Sequence, residues 1–577
     1  MLRSVLGYSV GIVSSVAAAP AAAQNDPSVV ETSRYLESFD GTRIAITILR
    51  PAQAGRVVTT PLPVIVTQDR GQEGSERVAA ARRFFLGRGY VIVAQDRRGV
   101  GASFGVQKGF VNAFDAEDAK TVIEWAGAQS FSNGRVVSWG CSNQGAWQYL
   151  VAALKPRHLV AIAPSCASPQ FFDHGVMTNG VPTFPAGTAP FDGNCGKAPA
   201  ERFPAKPVSE DRDGTLLKEA RKNRGCNAPM LGQYWRTMAR DGLNPVTGTR
   251  PGLDDSSITH WQAIRDSGIP MLQIGGWYDA AVIGQMQGQR LWGGRVIMGP
   301  WVHGNGLPAG ATFANATRDL IEETGRWFDH YAKGVANGAE VPGVTYYTVN
   351  APKGQEWSRR ASWPAVTEGQ TSFYLSATGL SRAPARAAAP ATYAEQPLSW
   401  FGGRYEPLSH WWNGDMAEDD RKMLGHQSGP LAADTRITGT PALRLWLSAD
   451  TPDANLFAVL EDVAPDGRST YVTDGRLRVA SRKITLAPFP NSIQYWKPNY
   501  GSDQQPLKPG EVAEAAFEFY PISYVFKRGH RIRLSIATAI GKDYHAPPLN
   551  RGKAPTITIR RDAAHPSRLL LPIVPNR

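Results

Sequence analysis

Several short stretches of this chain are apolar almost without a break: Pro63–Thr67 (PVIVT), Tyr90–Ala94 (YVIVA), Leu159–Ala163 (LVAIA), Pro270–Ile274 (PMLQI) and Arg295–Met298 (RVIM). A strand wetted on one side alternates apolar with polar residues, so an unbroken run must be covered on both faces. Thr42–Arg50 (TRIAITILR) does alternate and reads as a strand of a partly exposed sheet. Between the runs lie helical patterns. Val78, Ala79, Phe84 and Phe85 recur at helical spacing within Ser75–Gly87, and Ala119, Val122, Ile123 and Ala126 share one face of Asp115–Gly127, whose acidic start suits a helix N-terminus. An Asn133-Gly134 turn leads into a strand at Arg135–Trp139, followed by a helix from Gln144 to Leu154 that ends before Pro156, and a later helix runs through Leu320–Ala332. Strand alternating with helix predicts an α/β fold, a parallel sheet with helices on both faces.

The rhythm fails twice. From Ser168 to Asp255 the chain is rich in Pro, Gly and charge, with short helical patches such as Thr215–Asn223, which predicts an insertion. Beyond about residue 339 come short strand-like runs, among them Ala442–Ser448, Phe457–Asp462, Ile484–Leu486 and Arg531–Ile536, separated by turns such as Pro465-Asp466-Gly467. That pattern predicts an all-β sandwich. The expected division is an α/β domain at 30–167 and 256–338, an insertion at 168–255 and a β-sandwich at 339–577.

Hydrophobic residues at 42% against 19% charged describe a chain that folds. The net charge of +12 is scattered, with no basic run, nucleic-acid motif or zinc-spaced cysteine set. Nucleic acid is therefore not an expected partner, and no metal or cofactor is assigned. Arg3, the uncharged stretch Ser4–Ala23 and the small residues Ala21, Ala22 and Ala23 before Gln24 read as a secretory signal over residues 1–23. Cleavage would leave a periplasmic or secreted protein with no stable membrane anchor, and leaves room for a homo-oligomer. In such a compartment the four cysteines can oxidise. Cys195 and Cys226, in a Pro/Gly-rich region, are the expected disulfide, whereas Cys141 and Cys166 each close an apolar run and come together only if those runs are neighbouring strands.

The chemistry centres on Gly140-Cys141-Ser142-Asn143-Gln144-Gly145, a serine flanked by glycines between a strand and a helix. Such an elbow needs small residues because the turn is strained and strand and helix approach closely, and the helix start aims backbone N–H groups at a developing oxyanion. A serine nucleophile needs a base and an acid to orient it, and in this architecture they follow at the ends of later strands. Asp279 follows Pro270–Ile274 in Gly275-Gly276-Trp277-Tyr278-Asp279, and His303 follows Arg295–Met298 in Gly299-Pro300-Trp301-Val302-His303.

With these motifs the chain resembles the cocaine esterase and X-Pro dipeptidyl-peptidase group, the CocE/NonD hydrolases. Further marks are Asp40-Gly41-Thr42-Arg43, Gln95-Asp96-Arg97-Arg98-Gly99, Gly529-His530-Arg531-Ile532 and His565-Pro566-Ser567. The resemblance implies an α/β-hydrolase domain, a helical cap as the insertion, a C-terminal jelly roll and a triad of Ser142, Asp279 and His303. It also exposes two departures. Asn143 stands where the family usually has Tyr, although its backbone N–H can still serve the oxyanion. The family's second oxyanion donor, a tyrosine hydroxyl, falls on Gly71 within Gln68-Asp69-Arg70-Gly71-Gln72, leaving the Gly71 backbone or Arg70 as substitutes.

The expected activity is cleavage of small carboxylic esters or amides through an acyl-enzyme, with Phe171, Phe172 and Trp277 as pocket residues. Two rivals stand beside it. An X-Pro exopeptidase needs acidic groups for a substrate amine, for which Asp192, Glu201 and Glu210 are candidates, yet Asp279 is followed by Ala280-Ala281-Val282 rather than an acidic cluster. A catalytically impaired protein that binds through its β-sandwich would accord with the missing tyrosine. Asp96 and Arg98 read as a brace near the site.

Overall fold

The computed structural model describes residues 28–69, 76–173, 177–182, 205–227, 239–243, 248–308, 311–364, 370–396, 398, 415–490, 495–539 and 547–574. The expected signal, part of the insertion, and Arg70, Gly71, Asp192, Cys195 and Glu201 lie outside these residues.

The unbroken apolar runs become the inner strands of one large sheet. In chain order its main strands are β1 (Val29–Glu37), β2 (Arg43–Gln53), β3 (Leu62–Asp69), β4 (Val91–Asp96), β5 (Ser132–Cys141), β6 (Leu159–Ser165), β7 (Leu272–Gly276), β8 (Arg295–Gly299), β9 (Gly343–Tyr347) and β10 (Trp357–Arg360). They lie in the spatial order β1-β2-β4-β3-β5-β6-β7-β8-β9-β10. Every pairing from β4 to β9 is parallel, and the antiparallel pairings fall at the edges, where β1, β2 and β10 join. Val64, Val66, Val93, Val136 and Ile162 are wholly enclosed on one face, and Ile65, Val137, Ala161, Leu272 and Ile297 on the other, so both faces are dry. The helices supply the cover: α1 (Glu76–Gly87), α2 (Ala113–Gly127), α3 (Asn143–Ala153), α4 (Thr215–Ala220) in the insertion, α5 (Trp261–Ser267), α6 (Val282–Trp292) and α7 (Leu320–Lys333). The acidic start of α2 is a capping box, in which Asn112 accepts from the N–H of Phe114 and Asp115 while Asp115 reaches back to the Asn112 N–H.

Three local readings differ. Asn133-Gly134 is not a turn before β5 but lies inside it, at a bulge where the pairing jumps from Leu62–Ser132 to Val64–Val136 and Gly134 takes a φ of +83°. Ile484–Leu486 forms no strand: among the described residues no neighbouring strand takes up its backbone, and Leu486 is 95% exposed. The large sheet also continues past residue 338, where the sequence pattern suggested the sandwich begins, and takes in β9 and β10.

Residues 370–574 build antiparallel sheets. A four-stranded one joins Leu424–Gln427, Arg531–Ala537, Asn455–Val463 and Ser469–Arg478, and a nine-stranded one is centred on Ala442–Ala449 and Arg568–Val574. Motif residues here are structural: His530 Nδ1 meets Asp462 Oδ1 at 2.8 Å, and Ser567 Oγ donates to Arg560 O at 2.6 Å while accepting from Trp446 N. This layer bonds the chain just beyond β9, where Val349 N donates to Ser523 O and Val525 N to Val349 O, both at 2.9 Å.

Candidate active site

β5 ends in Cys141, and Ser142 turns the chain into α3 with a φ of +64° and ψ of −127°. A residue with a Cβ pays strain in that region, a feature that clusters at functional sites. The flanking glycines have steric reasons. A Cβ on Gly140 would lie 2.4 Å from Gln144 O, and one on Gly145 would lie 2.8 Å from the Ala167 Cβ. Ser142 N donates to Ser165 O at 2.8 Å, and Ser142 O opens the helix by accepting from Gly145 and Ala146, both at 2.9 Å. The elbow is thus pinned to the end of β6. Asn143 begins α3, where N–H groups have no partner within the helix and are available to an oxyanion. Its side chain is buried and donates to Phe110 O.

Asp279 and His303 arrive as expected, beyond β7 and β8. Asp279 is fully buried; its Oδ1 accepts from Ala281 N at 3.1 Å and its Oδ2 lies 3.0 Å from His303 Nδ1. One carboxylate oxygen is therefore held by the backbone and the other faces the imidazole, which is the geometry that fixes a ring and its tautomer. The His303 side chain remains 26% exposed.

The His303 loop has its own anchor, which the motifs did not disclose. Asn305, at a φ of +62°, donates from Nδ2 to Ser165 Oγ at 2.6 Å and accepts at Oδ1 from the Cys166 thiol at 3.0 Å, while Gly304 N donates to Cys166 Sγ at 3.2 Å. Cys166, itself at a φ of +49°, donates its N–H to Ile274 O. The dipeptide Ser165-Cys166 therefore holds both the serine elbow and the histidine loop. The available signal was an Asn between two glycines beyond a strand end, facing residues at another strand's C-terminal end, where sites of this architecture gather. Burial pushes the Cys166 thiol well above its ordinary pKa, so it stays protonated and able to donate. Replacing Asn305 with Ala removes both side-chain bonds, and kcat is expected to fall about tenfold with little change in KM, because the imidazole is misplaced rather than removed. Asn305→Gly relieves the backbone but should not restore the rate; recovery with Gly would assign the effect to φ alone.

The expected pocket residues separate. Phe171 keeps partial exposure and stacks on Phe110, with centroids 3.9 Å apart, beside the carbonyl that receives Asn143. Phe172 is 1% exposed and belongs to the core, and Trp277 is wholly enclosed, donating to Tyr347 O at 2.6 Å and packing on Trp363. These two are packing residues because their neighbours leave them no surface for a ligand. Glu210 Oε1 accepts from Tyr35 N at 2.9 Å, which ties it to β1. Arg98 serves as a brace through Asp118 and Asp40, at 2.7 and 2.9 Å, rather than through Asp96, whose Oδ2 accepts from Ala102 N. The Arg98 guanidinium holds the Asp40 carboxyl down at about 2. Cys226 is disulfide-bonded, and Cys141 and Cys166 are free thiols lying close enough for their side chains to hydrogen-bond.

Residues 40–305 match the X-Pro dipeptidyl-peptidase (S15 family) model, and 337–570 match the X-Pro dipeptidyl-peptidase C-terminal non-catalytic domain. The chain belongs to the cocaine esterase and X-Pro dipeptidyl-peptidase group of serine hydrolases. It is 28% identical to a provisionally named serine esterase of Mycobacterium bovis, covering 94% of this chain and 95% of that one. It is 26% identical to the cocaine esterase of a Rhodococcus species, covering 93% and 97%. In fold it is similar to an aminopeptidase from a marine-sediment Thaumarchaeota archaeon, with a TM-score of 0.73 at 17% identity over 96% of this chain and 97% of that one. The architecture is that of the group: an α/β-hydrolase followed by a C-terminal β domain. No helix among the described residues is long and apolar enough to cross a membrane.

Proposed function

We propose that the enzyme cleaves carboxylic esters by acyl transfer to Ser142, with His303 as general base and Asp279 as its orienting acid. The observation that carries this reading is the 3.0 Å contact between Asp279 Oδ2 and His303 Nδ1 on a loop bonded to the same dipeptide that holds the serine elbow. His303 takes the Ser142 proton as Oγ attacks the acyl carbon, then returns it to the leaving alcohol. The Asn143 N–H stabilises the oxyanion, and Gly71 N–H or Arg70 is the second donor. Phe171 forms one wall for the acyl group. Water repeats the cycle on the acyl-enzyme and releases the acid.

Esters are favoured over X-Pro amides for two reasons. The relatives named esterases are 26–28% identical, against 22–23% for those named Xaa-Pro dipeptidyl-peptidases. The residues after Asp279, Ala280-Ala281-Val282, are buried and apolar, so no carboxylate follows the triad acid to receive an amine. A panel of short acyl esters beside X-Pro anilides tests this: esters turned over with the higher kcat/KM support it, and preference for the anilides contradicts it.

The domain division accompanying this proposal is a hydrolase domain ending at β10, a cap over 168–255 and the β domain thereafter. Export accompanies it too. The mature protein recovered from a periplasmic or secreted fraction is expected to begin close to Gln24, read by N-terminal sequencing, and soluble material that keeps Met1 would contradict it.

A further inference from the structure

We propose that Cys166, His303 and Asp279 form a binding site for a thiophilic divalent cation such as Zn²⁺, whose occupancy switches hydrolysis off. One donor atom from each of the three lies within 4.8 Å of the other two. Tetrahedral zinc with sulfur at about 2.3 Å and nitrogen at about 2.0 Å needs donors about 3.5 Å apart, so side-chain shifts of about an ångström close the site. The set is one thiol, one imidazole and one carboxylate, a mixture that suits zinc and its soft neighbours and not magnesium or calcium. The fourth position is left to water or an anion, since Cys141, although it neighbours Cys166, is not part of this cluster.

Access comes from the Cys141 side. Cys166 and Asp279 are buried, but Cys141 is partly exposed and lines a cavity of about 420 Å³ together with Trp139, Ser165, Gly304 and Asn305. An ion entering there arrives beside the Gly304-Asn305 loop that follows His303 and bonds Cys166. On binding, the Cys166 thiol proton leaves to solvent, and the thiolate, an imidazole lone pair and a carboxylate oxygen form bonds to the metal with no change of oxidation state. The thiol then no longer donates to Asn305, and His303 no longer has Asp279 to itself. Inhibition rests on the triad assignment above, whereas binding does not, and the two are read separately.

The test uses the mature protein, stripped of metal by a chelator and kept reduced with a phosphine. Calorimetric titration with Zn²⁺ is expected to give one ion per chain at micromolar or tighter affinity, with ester hydrolysis lost in step and restored by EDTA. Cys166→Ala and His303→Gln should each weaken binding about tenfold or more, because each removes a ligand. Ser142→Ala, inactive but lacking no ligand, should bind as the wild type does. Wild-type protein that takes up no stoichiometric Zn²⁺, or Cys166→Ala and His303→Gln that both bind it unchanged, would overturn the proposal. If Ser142→Ala proves active while the ligand variants lose Zn²⁺, the triad reading fails and the metal site stands.

Discussion

Ser142→Ala is expected to lower kcat for a short activated ester by at least about 10⁴-fold while leaving the melting temperature within a degree or two of wild type. The two halves of this expectation have separate causes. The rate falls because the nucleophile is gone and only the oxyanion donors and binding contacts remain. Stability holds because the fold uses the backbone of this residue. Its N–H donates to Ser165 O and its carbonyl starts α3, and alanine keeps both, with the same Cβ in the same left-handed φ of +64°. Activity within about tenfold of wild type would remove Ser142 from the mechanism, and a large fall in melting temperature would show that the hydroxyl is structural.

Asp279→Asn is expected to be nearly as damaging, with kcat down by about 10⁴-fold and KM little changed. The substitution preserves volume in a fully buried site and leaves an amide oxygen for Ala281 N. What it removes is the carboxylate facing His303 Nδ1 at 3.0 Å. An amide that turns its N–H₂ to the ring stabilises the tautomer with the proton on Nε2, which cannot accept the serine proton, and a neutral group does not stabilise the imidazolium. Because the loss falls on the chemical step, kcat and kcat/KM should drop together. A fall of less than about tenfold would mean that Asp279 only anchors the loop.

Much of this was readable in the chain because burial on two faces leaves a plain trace. β3, β4 and β6 were visible as unbroken apolar runs, and the serine elbow as glycines placed where a Cβ has no room. Asp279 and His303 were legible through chain order, since each follows a buried strand. Contacts between distant segments left no such trace. Nothing local says that Asn305 bonds Ser165 and Cys166, about 140 residues earlier, because that contact arises from β6, β7 and β8 lying side by side. Phe172 and Trp277 misled for a related reason: an aromatic beside a catalytic motif has the same composition whether it lines a pocket or fills the core, and only the packing around it decides. Ile484–Leu486 misled in the opposite sense, as a β-branched and apolar triplet that finds no partner strand among the described residues.

The central claim is that Ser142 is an activated nucleophile, and labelling with a fluorophosphonate tests it most directly. A phosphonylating reagent reacts rapidly only with a serine whose proton is being taken by a base. Mass spectrometry of the treated protein is expected to find a single adduct on the peptide carrying Ser142, formed in step with loss of esterase activity, absent from Ser142→Ala and greatly slowed in His303→Gln. Esterase activity that persists in fully exposed protein with Ser142 unlabelled, or an inactivating adduct on a different residue, would contradict the account.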